Sequence, residues 1–355
     1  MIVVHFESGL GNQMLDYVDY LAYKHYNPDQ ECYIENVVFS MKDSKKVIDF
    51  WNGYELDKVF GITEPGMSDI LGEQYPKFYR SFIESEFWNN NWSYPQSFSE
   101  AMKLCGYEVE NHCSGGKLPP VWSLDSLSNK ERIKYENSVG NKLFVAYKTM
   151  SLPFVREKME KRIVAEHHPV NYRLNSNGKV QYVGHNLEYM YKNNGIEHLD
   201  SEIMKHFVFP DFESGSKNES LLSLLKDKRS VAIHARRGDF LGCNYPYYKN
   251  GFFGRSLSYI RKVDNPNVFL IFCDSGSVDW CKNNYKTLGL KKTDEVIFVD
   301  WNTGNDSYRD MQLISLCNHG VVTSSSFGWW GTFLNKNPDK ITCAPHPAIR
   351  TTNWF

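Results

Sequence analysis

The chain opens on an unbroken apolar run, Ile2–Phe6, which predicts a buried strand. Glu7-Ser-Gly-Leu-Gly-Asn-Gln13 then turns the chain, with two glycines free to take positive φ. Leu15, Val18, Leu21 and Ala22 follow near helical spacing, and Asn27-Pro28 stops that helix. Strand, glycine turn and helix make the opening of a Rossmann-like unit. They leave a row of backbone N–H groups at a helix N-terminus, able to hold an anion or a sugar oxygen.

Residues 40–215 show no clear period, and Asn89–Ser99 and Cys113–Trp122 predict long loops of the kind that form walls or lids. Pro210–Asn218 is a polar break and marks the expected boundary between a domain over 1–216 and one over 217–355. Beyond it the pattern sharpens. Strands are predicted at Ser230–His234, Val268–Cys273, Val296–Asp300, Gly320–Thr323 and Ile341–Ala344. Helices are predicted at Phe253–Val263, Val278–Tyr285, Tyr308–Cys317 and Phe327–Leu334. This alternation indicates an α/β class with a parallel sheet. Two such Rossmann-like halves facing each other would place a cleft at the strand C-termini.

At 355 residues the chain suits two domains of common size. Its net charge of −2 calls for no nucleic acid and no anionic membrane, so any basic site must be local. None of the eight cysteines falls in a C-x-x-C pair, and no spacing suggests zinc. The opening apolar run is too short for a signal sequence or a membrane span. A cytoplasmic protein with reduced thiols and no integral membrane segment is therefore expected.

Three constellations follow predicted strands. In His234-Ala-Arg-Arg-Gly-Asp239, two adjacent arginines at a strand end are costly to bury unpaired. A pyrophosphate would satisfy them in bidentate fashion, with Asp239 fixing one; a salt-bridge knot is the alternative. Thr323-Ser-Ser-Ser-Phe-Gly-Trp-Trp330 leads into a helix through Ser324, Ser325 and Ser326. It suits a phosphate cradle, or simply an N-cap with two core tryptophans. Gly9-Leu-Gly11-Asn12-Gln13 offers amides to a sugar or phosphate. It also begins a dinucleotide fingerprint with Glu35 as ribose acid, but Met14 takes the place of the third glycine. No D-x-D, Walker A or G-x-S-x-G sequence occurs, and His167-His168 reads as surface.

In this order the motifs resemble the α-1,2-fucosyltransferase family, glycosyltransferase family 11. Gly9-Leu-Gly-Asn-Gln-Met14 is similar to its G-L-G-N-Q-M, and His234-Ala-Arg-Arg-Gly-Asp-Phe240 to its H-V-R-R-G-D-Y. Phe272-Cys-Asp-Ser275 with Trp280 is similar to its F-S-D-D and following Trp, and Ser324–Gly331 to its N-S-T-F-S-W-W-G. Tyr54–Phe60 is a weaker echo, and residues 85–200 show almost none. The chain departs at Ser324 (Asn in the family), Ser275 (often Asp) and Gly328 (Ser).

The resemblance implies a GT-B fold, GDP-fucose as donor, no metal or other cofactor, and inversion at the fucose anomeric carbon. It further implies that Arg236 and Arg237 neutralise the GDP phosphates with Asp239 orienting them. His234 belongs to that donor motif, Ser325 and Ser326 contact phosphate, and Phe327 walls the nucleotide pocket. Asp274 lies near guanine or ribose, while Asn12 and Gln13 touch fucose or phosphate. The acceptor implied is the 2-hydroxyl of a galactose-terminated glycan. A transferase using another sugar nucleotide and a non-catalytic carbohydrate-binding protein are the rival readings. For the base that takes the acceptor proton, His5, Glu7, Asp16 and Asp239 are all candidates.

Overall fold

A computed structural model describes residues 1–40, 51–89, 92–113, 153–165, 167–238, 246–249 and 251–355. In chain order the first elements are β1 (Ile2–His5), α1 (Leu10–Tyr26), β2 (Cys32–Glu35), α2 (Leu56–Phe60), α3 (Met67–Leu71), α4 (Tyr75–Glu84), α5 (Tyr94–Leu104) and β3 (Val109–Asn111). After them come α6 (Pro153–Ala165), β4 (Val180–Gly184), α7 (Asp200–His206) and α8 (Lys217–Asp227). The remainder is β5 (Ser230–Ala235), α9 (Phe252–Val263), β6 (Val268–Cys273), α10 (Val278–Asn283), β7 (Glu295–Val299), α11 (Tyr308–Leu316), β8 (His319–Val322), α12 (Ser326–Phe333), β9 (Thr342–Ala344) and β10 (Asn353–Trp354).

The chain divides into two compact units. One holds residues 1–120, 169–189 and 194–210; the other holds 121–168, 190–193 and 211–355. Each is an α/β layer structure on a parallel sheet, as the apolar runs alternating with helices predict. The first sheet runs β2-β1-β4-β3 and the second β10-β9-β8-β5-β6-β7, with every described pairing parallel. Among the described residues no helix is long and apolar enough to cross a membrane.

The second sheet shows why its strands read clearly. Every residue of β5 is buried. Val231, Ile233 and Ala235 pack on one layer with Phe253, Leu257 and Ile260 of α9. Ala232 packs on the other, with Leu313 and Ile314 of α11. Helices cover both faces, so the strand is apolar throughout rather than alternating. A fully buried Leu or Phe contributes about 1.5–3 kcal/mol.

The first unit hides its pattern better. The predicted loop Asn89–Ser99 runs instead into α5, which begins on a proline-tolerant first turn and buries Tyr94, Phe98, Ala101 and Met102 at helical spacing. Phe98 stacks on Tyr182 of β4, with ring centroids 3.7 Å apart. The predicted loop at 113–122 lies beyond the described residues except for Cys113.

Candidate functional site

In the second unit, β5 ends at Ala235 and delivers Arg236 and Arg237 to the C-terminal edge of the sheet. The Arg236 guanidinium pairs with Asp274 just past β6, Nη1 to Oδ1 at 2.8 Å. The other carboxylate oxygen of Asp274 accepts from the backbone N–H groups of Arg237 and Gly238, both at 2.7 Å. Tyr248 donates to the Arg236 carbonyl. Asp274 is thus the fastener that shapes the arginine loop. The resemblance implies a place for Asp274 near guanine or ribose; the structure shows its carboxylate bound to Arg236 and the loop backbone.

Arg237 is held differently. Its guanidinium carbon lies 3.4 Å from the Trp280 ring centroid and 5.0 Å from that of Tyr248, a cation–π contact with two rings that themselves meet edge to face. Its Nε is buried without a hydrogen-bond partner among the described residues. Two more buried polar atoms close by share that condition: His234 Nδ1 and Thr323 Oγ1, at the ends of the adjacent strands β5 and β8. Burial, and next the Arg236 charge, hold the His234 pKa down to about 4 against the opposing pull of Asp274, so the ring is neutral. Buried polar groups left unpaired cost free energy, which marks them as awaiting a partner.

The serine loop caps this edge. Ser325 is the N-cap of α12 but makes no side-chain capping bond, so the helix start lacks that side-chain partner. The Ser324 hydroxyl sits 2.6 Å from that of Tyr247. Phe327 lies beside His234, ring centroids 5.8 Å apart, while Trp329 and Trp330 are wholly buried, filling core. Gly328 has a tertiary reason. A Cβ there would stand 2.4 Å from His234 Nδ1, so the imidazole occupies the space a serine side chain would need. Asp239, which the sequence assigns to catalysis and to orienting the arginines, lies outside the described residues.

In the first unit the glycine turn behaves otherwise. Gln13 is fully buried, and its amide donates to the carbonyls of Ser8 and Gly53 and accepts from the N–H of Glu55. Its role here is to tie the turn to the segment before α2. Gly11 is buried, and Asn12 donates to the Ser8 hydroxyl at 3.2 Å. The Glu55 carboxylate takes the N–H of Leu10, so the start of α1 already holds an anion from its own chain.

At the C-terminal ends of β1 and β4 lies a chain of acids and imidazoles. His5 Nδ1 meets Glu35 Oε2 at 2.5 Å, and His5 Nε2 meets Glu7 Oε2 at 3.2 Å. His185 Nε2 stands 3.3 Å from Glu7 Oε1, and His185 Nδ1 stands 3.1 Å from Asp16 Oδ1. Trp92 Nε1 donates to Glu7, and Tyr182 donates to Glu35. Burial alone would lower both imidazole pKa values. The carboxylates outweigh it, Glu35 and Glu7 raising His5 to about 10 and Glu7 and Asp16 raising His185 to about 9. Glu7 is pulled down to about 2 by His185 and His5 against its burial. Glu35 points into this cluster and to the Val37 N–H, not toward a ribose. His185, Tyr182 and Trp92 were invisible in the sequence, because they lie where no period marks the chain.

The structure therefore gathers two arginines and three buried polar atoms without partners among the described residues at a strand edge of one α/β unit, and a charged, buried network in the other. Residues 198–349 match the model described as Glycosyl transferase family 11. An α-1,2-colitosyltransferase of Escherichia coli is 27% identical over 300 residues, covering 80% of this chain and 89% of that protein. The galactoside α-(1,2)-fucosyltransferase 2 of Oryctolagus cuniculus is 26% identical over 146 residues, 39% of this chain and 40% of its own length. Among solved structures, the fucosyltransferase NodZ from Bradyrhizobium aligns over 93% of this chain and 91% of its own, at 10% identity and a TM-score of 0.41. Over residues 198–349 the chain is thus similar to glycosyltransferase family 11.

Proposed function

We propose that the chain transfers L-fucose from GDP-fucose to the 2-hydroxyl of a galactose-terminated glycan, inverting the anomeric carbon without a metal. The observation that carries this reading is the set of buried polar atoms on Arg237, His234 and Thr323 that have no partner among the described residues, at the strand ends that lead to the start of α12. A neutral sugar does not call for such an edge; a diphosphate does. In this reading Arg237 forks onto the phosphates while its face stays stacked on Trp280. Arg236 lends charge from its anchored position, and Ser325, Ser326 and the α12 N–H groups complete the cradle. As the sugar leaves, negative charge grows on the β-phosphate, and donors already aimed at it stabilise that change most. Phe327 and His234 wall the nucleotide.

A colitosyl donor is the second reading, favoured by the relative that aligns over 80% of the chain. Thermal-shift titration with GDP, GDP-fucose, GDP-mannose, a UDP-sugar and NAD tests the class, since a ligand that binds the native state raises its melting point. Stabilisation by GDP and its sugars alone is expected. Stabilisation by UDP-sugars or NAD instead would overturn the reading. Transfer assays with GDP-fucose against GDP-colitose, each with and without EDTA, then decide donor and metal dependence.

A further inference from the structure

We propose that Cys273 and Cys281 form a thiol pair that a hydroperoxide converts to a disulfide, releasing the hold on the arginine loop of the second unit. The consequence for GDP rests on the donor reading above; the modification itself does not. Both cysteines are free, Cys273 half-buried at the end of β6 and Cys281 fully buried in α10. They share one apolar layer with Tyr248 and Trp280. Other described cysteines turn elsewhere. Cys32, Cys105 and Cys317 point their thiols at the carbonyls of Gln30, Gln74 and Leu313. Cys343 meets Ser256, and Cys113 meets Tyr94. Cys273 and Cys281 instead hydrogen-bond to each other.

The flanking residues give this contact its consequence. Asp274, next after Cys273, pairs with Arg236 and accepts from the N–H groups of Arg237 and Gly238. Trp280, just before Cys281, carries the Arg237 guanidinium on its ring. The two sulfurs therefore bracket one segment, 274–280, whose two ends hold the two arginines. A disulfide brings its sulfurs to about 2 Å, well inside a thiol hydrogen bond, and fixes the torsion about them. Cys281 is enclosed in core and has little room to turn, so forming the bond draws α10 toward the end of β6. Trp280 and Asp274 move with their neighbours. A loop set by backbone hydrogen bonds of 2.7 Å does not survive a shift on that scale.

The surroundings favour reaction at this pair. The bond from Cys273, and after it the Arg237 charge, hold the Cys281 thiol below its usual range against burial, while donating that bond, and next burial, push Cys273 up. The pair thus favours one anion held between two sulfurs. Passing the shared proton to Cys281 leaves the anion on Cys273, the sulfur nearer solvent. That thiolate attacks the hydroperoxide and the O–O bond breaks. Cys273 becomes a sulfenic acid, and the departing alkoxide or hydroxide takes the proton from Cys281. The Cys281 thiolate then attacks the Cys273 sulfur, forming the S–S bond and expelling hydroxide. The sulfurs lose two electrons and the peroxide gains them, ending as alcohol or water plus hydroxide.

The test treats the reduced full chain with limited hydrogen peroxide and maps its peptides by mass spectrometry. A bond between Cys273 and Cys281 is expected, cleaved again by dithiothreitol. Amide exchange at Arg237 and Gly238 should quicken roughly tenfold or more in the oxidised chain, and stabilisation by GDP should vanish and return on reduction. Cys273→Ser removes the exposed thiol and should keep GDP stabilisation after peroxide; Cys281→Ala should do the same and serves where the first fails to fold. Peroxide that leaves both thiols free, or links either to another cysteine, overturns the proposal. So does a Cys273–Cys281 disulfide with exchange within about twofold of the reduced chain. A loss of GDP stabilisation that persists in either variant overturns it too. A reduced chain that GDP fails to stabilise overturns the donor reading instead, and mapping and exchange then still decide this proposal.

Discussion

The two units end their central strands in opposite electrostatic conditions. At the end of β1, charge is balanced inside the chain: carboxylates meet imidazoles, and Glu55 fills the start of α1. At the end of β5, Arg237 leans on two aromatic rings and buried polar atoms lack partners among the described residues. The same strand-turn-helix plan thus makes one edge whose charges are met within the chain and one where buried polar atoms lack partners among the described residues. What decides is where the neighbouring segments send their carboxylates. Asp274 reaches Arg236 and the loop backbone, leaving Arg237 to its rings, whereas Glu35 and Asp16 close the first network from both sides.

Breaking the open edge should have the largest effect. Arg237→Ala should cost turnover about 10²–10³-fold and abolish stabilisation by GDP, in a protein that still folds. Arg237→Lys should not restore it, since the fork is lost. Arg236→Ala should lower turnover on the same scale, with added loosening of the 236–238 loop visible as faster amide exchange. The contrasting substitution is Gln13→Ala. It should leave the affinity for GDP unchanged yet cost about 1–3 kcal/mol of stability by denaturant titration, because it orphans buried backbone groups.

A smaller effect is expected from Gly328→Ser, which restores the family residue against the His234 ring. Overpacking should cost about 1–3 kcal/mol, and His234→Ala in the same chain should recover most of it. Equal stability of the single and double variants would sever that coupling.

The smallest signal is pH, and the two units should respond oppositely. His5 and His185 titrate higher folded than unfolded. Their contribution is whole below about pH 6.5 and is lost as pH rises through about 9 and 10. Glu7 titrates lower folded, so its contribution is present above about 4.5 and lost as pH falls toward about 2. His234 is also lowered, so its contribution is present above about 6.5 and lost as pH falls toward about 4. Amide exchange should therefore quicken in β1 and β4 on going from pH 6 to 10, and in β5 and β8 on going from pH 7 to 5, above the range where Glu7 is lost, after correction for intrinsic rates. Both units loosening together in either direction would contradict this assignment.

How much was legible follows from periodicity. Each strand and helix predicted beyond residue 229 is present, with ends shifted by no more than two residues, because a parallel sheet covered on both faces needs continuous apolar runs. The two-residue β10 gave no pattern to read. In the first unit β1 and α1 were legible, but β3 has only three residues, and Glu35 in β2 and Gln181 in β4 carry polar groups inside the fold. Aromatic packing through Phe78, Phe82 and Phe98 replaced the regular aliphatic spacing that a sequence reader follows.

The sequence by itself determined the resemblance to a family, the alternating α/β plan and the position of the arginine pair at a strand end. Those depend on local spacing and on motifs whose residues are neighbours in the chain. Only the tertiary structure decided that Asp274 holds Arg236 while Trp280 and Tyr248 hold Arg237, that His234 demands a glycine at 328, and that His185 meets Glu7. Each of those facts joins residues separated by tens or hundreds of positions. Side-chain charge and ring contacts reach only a few ångströms, so their partners exist only once the strands are side by side.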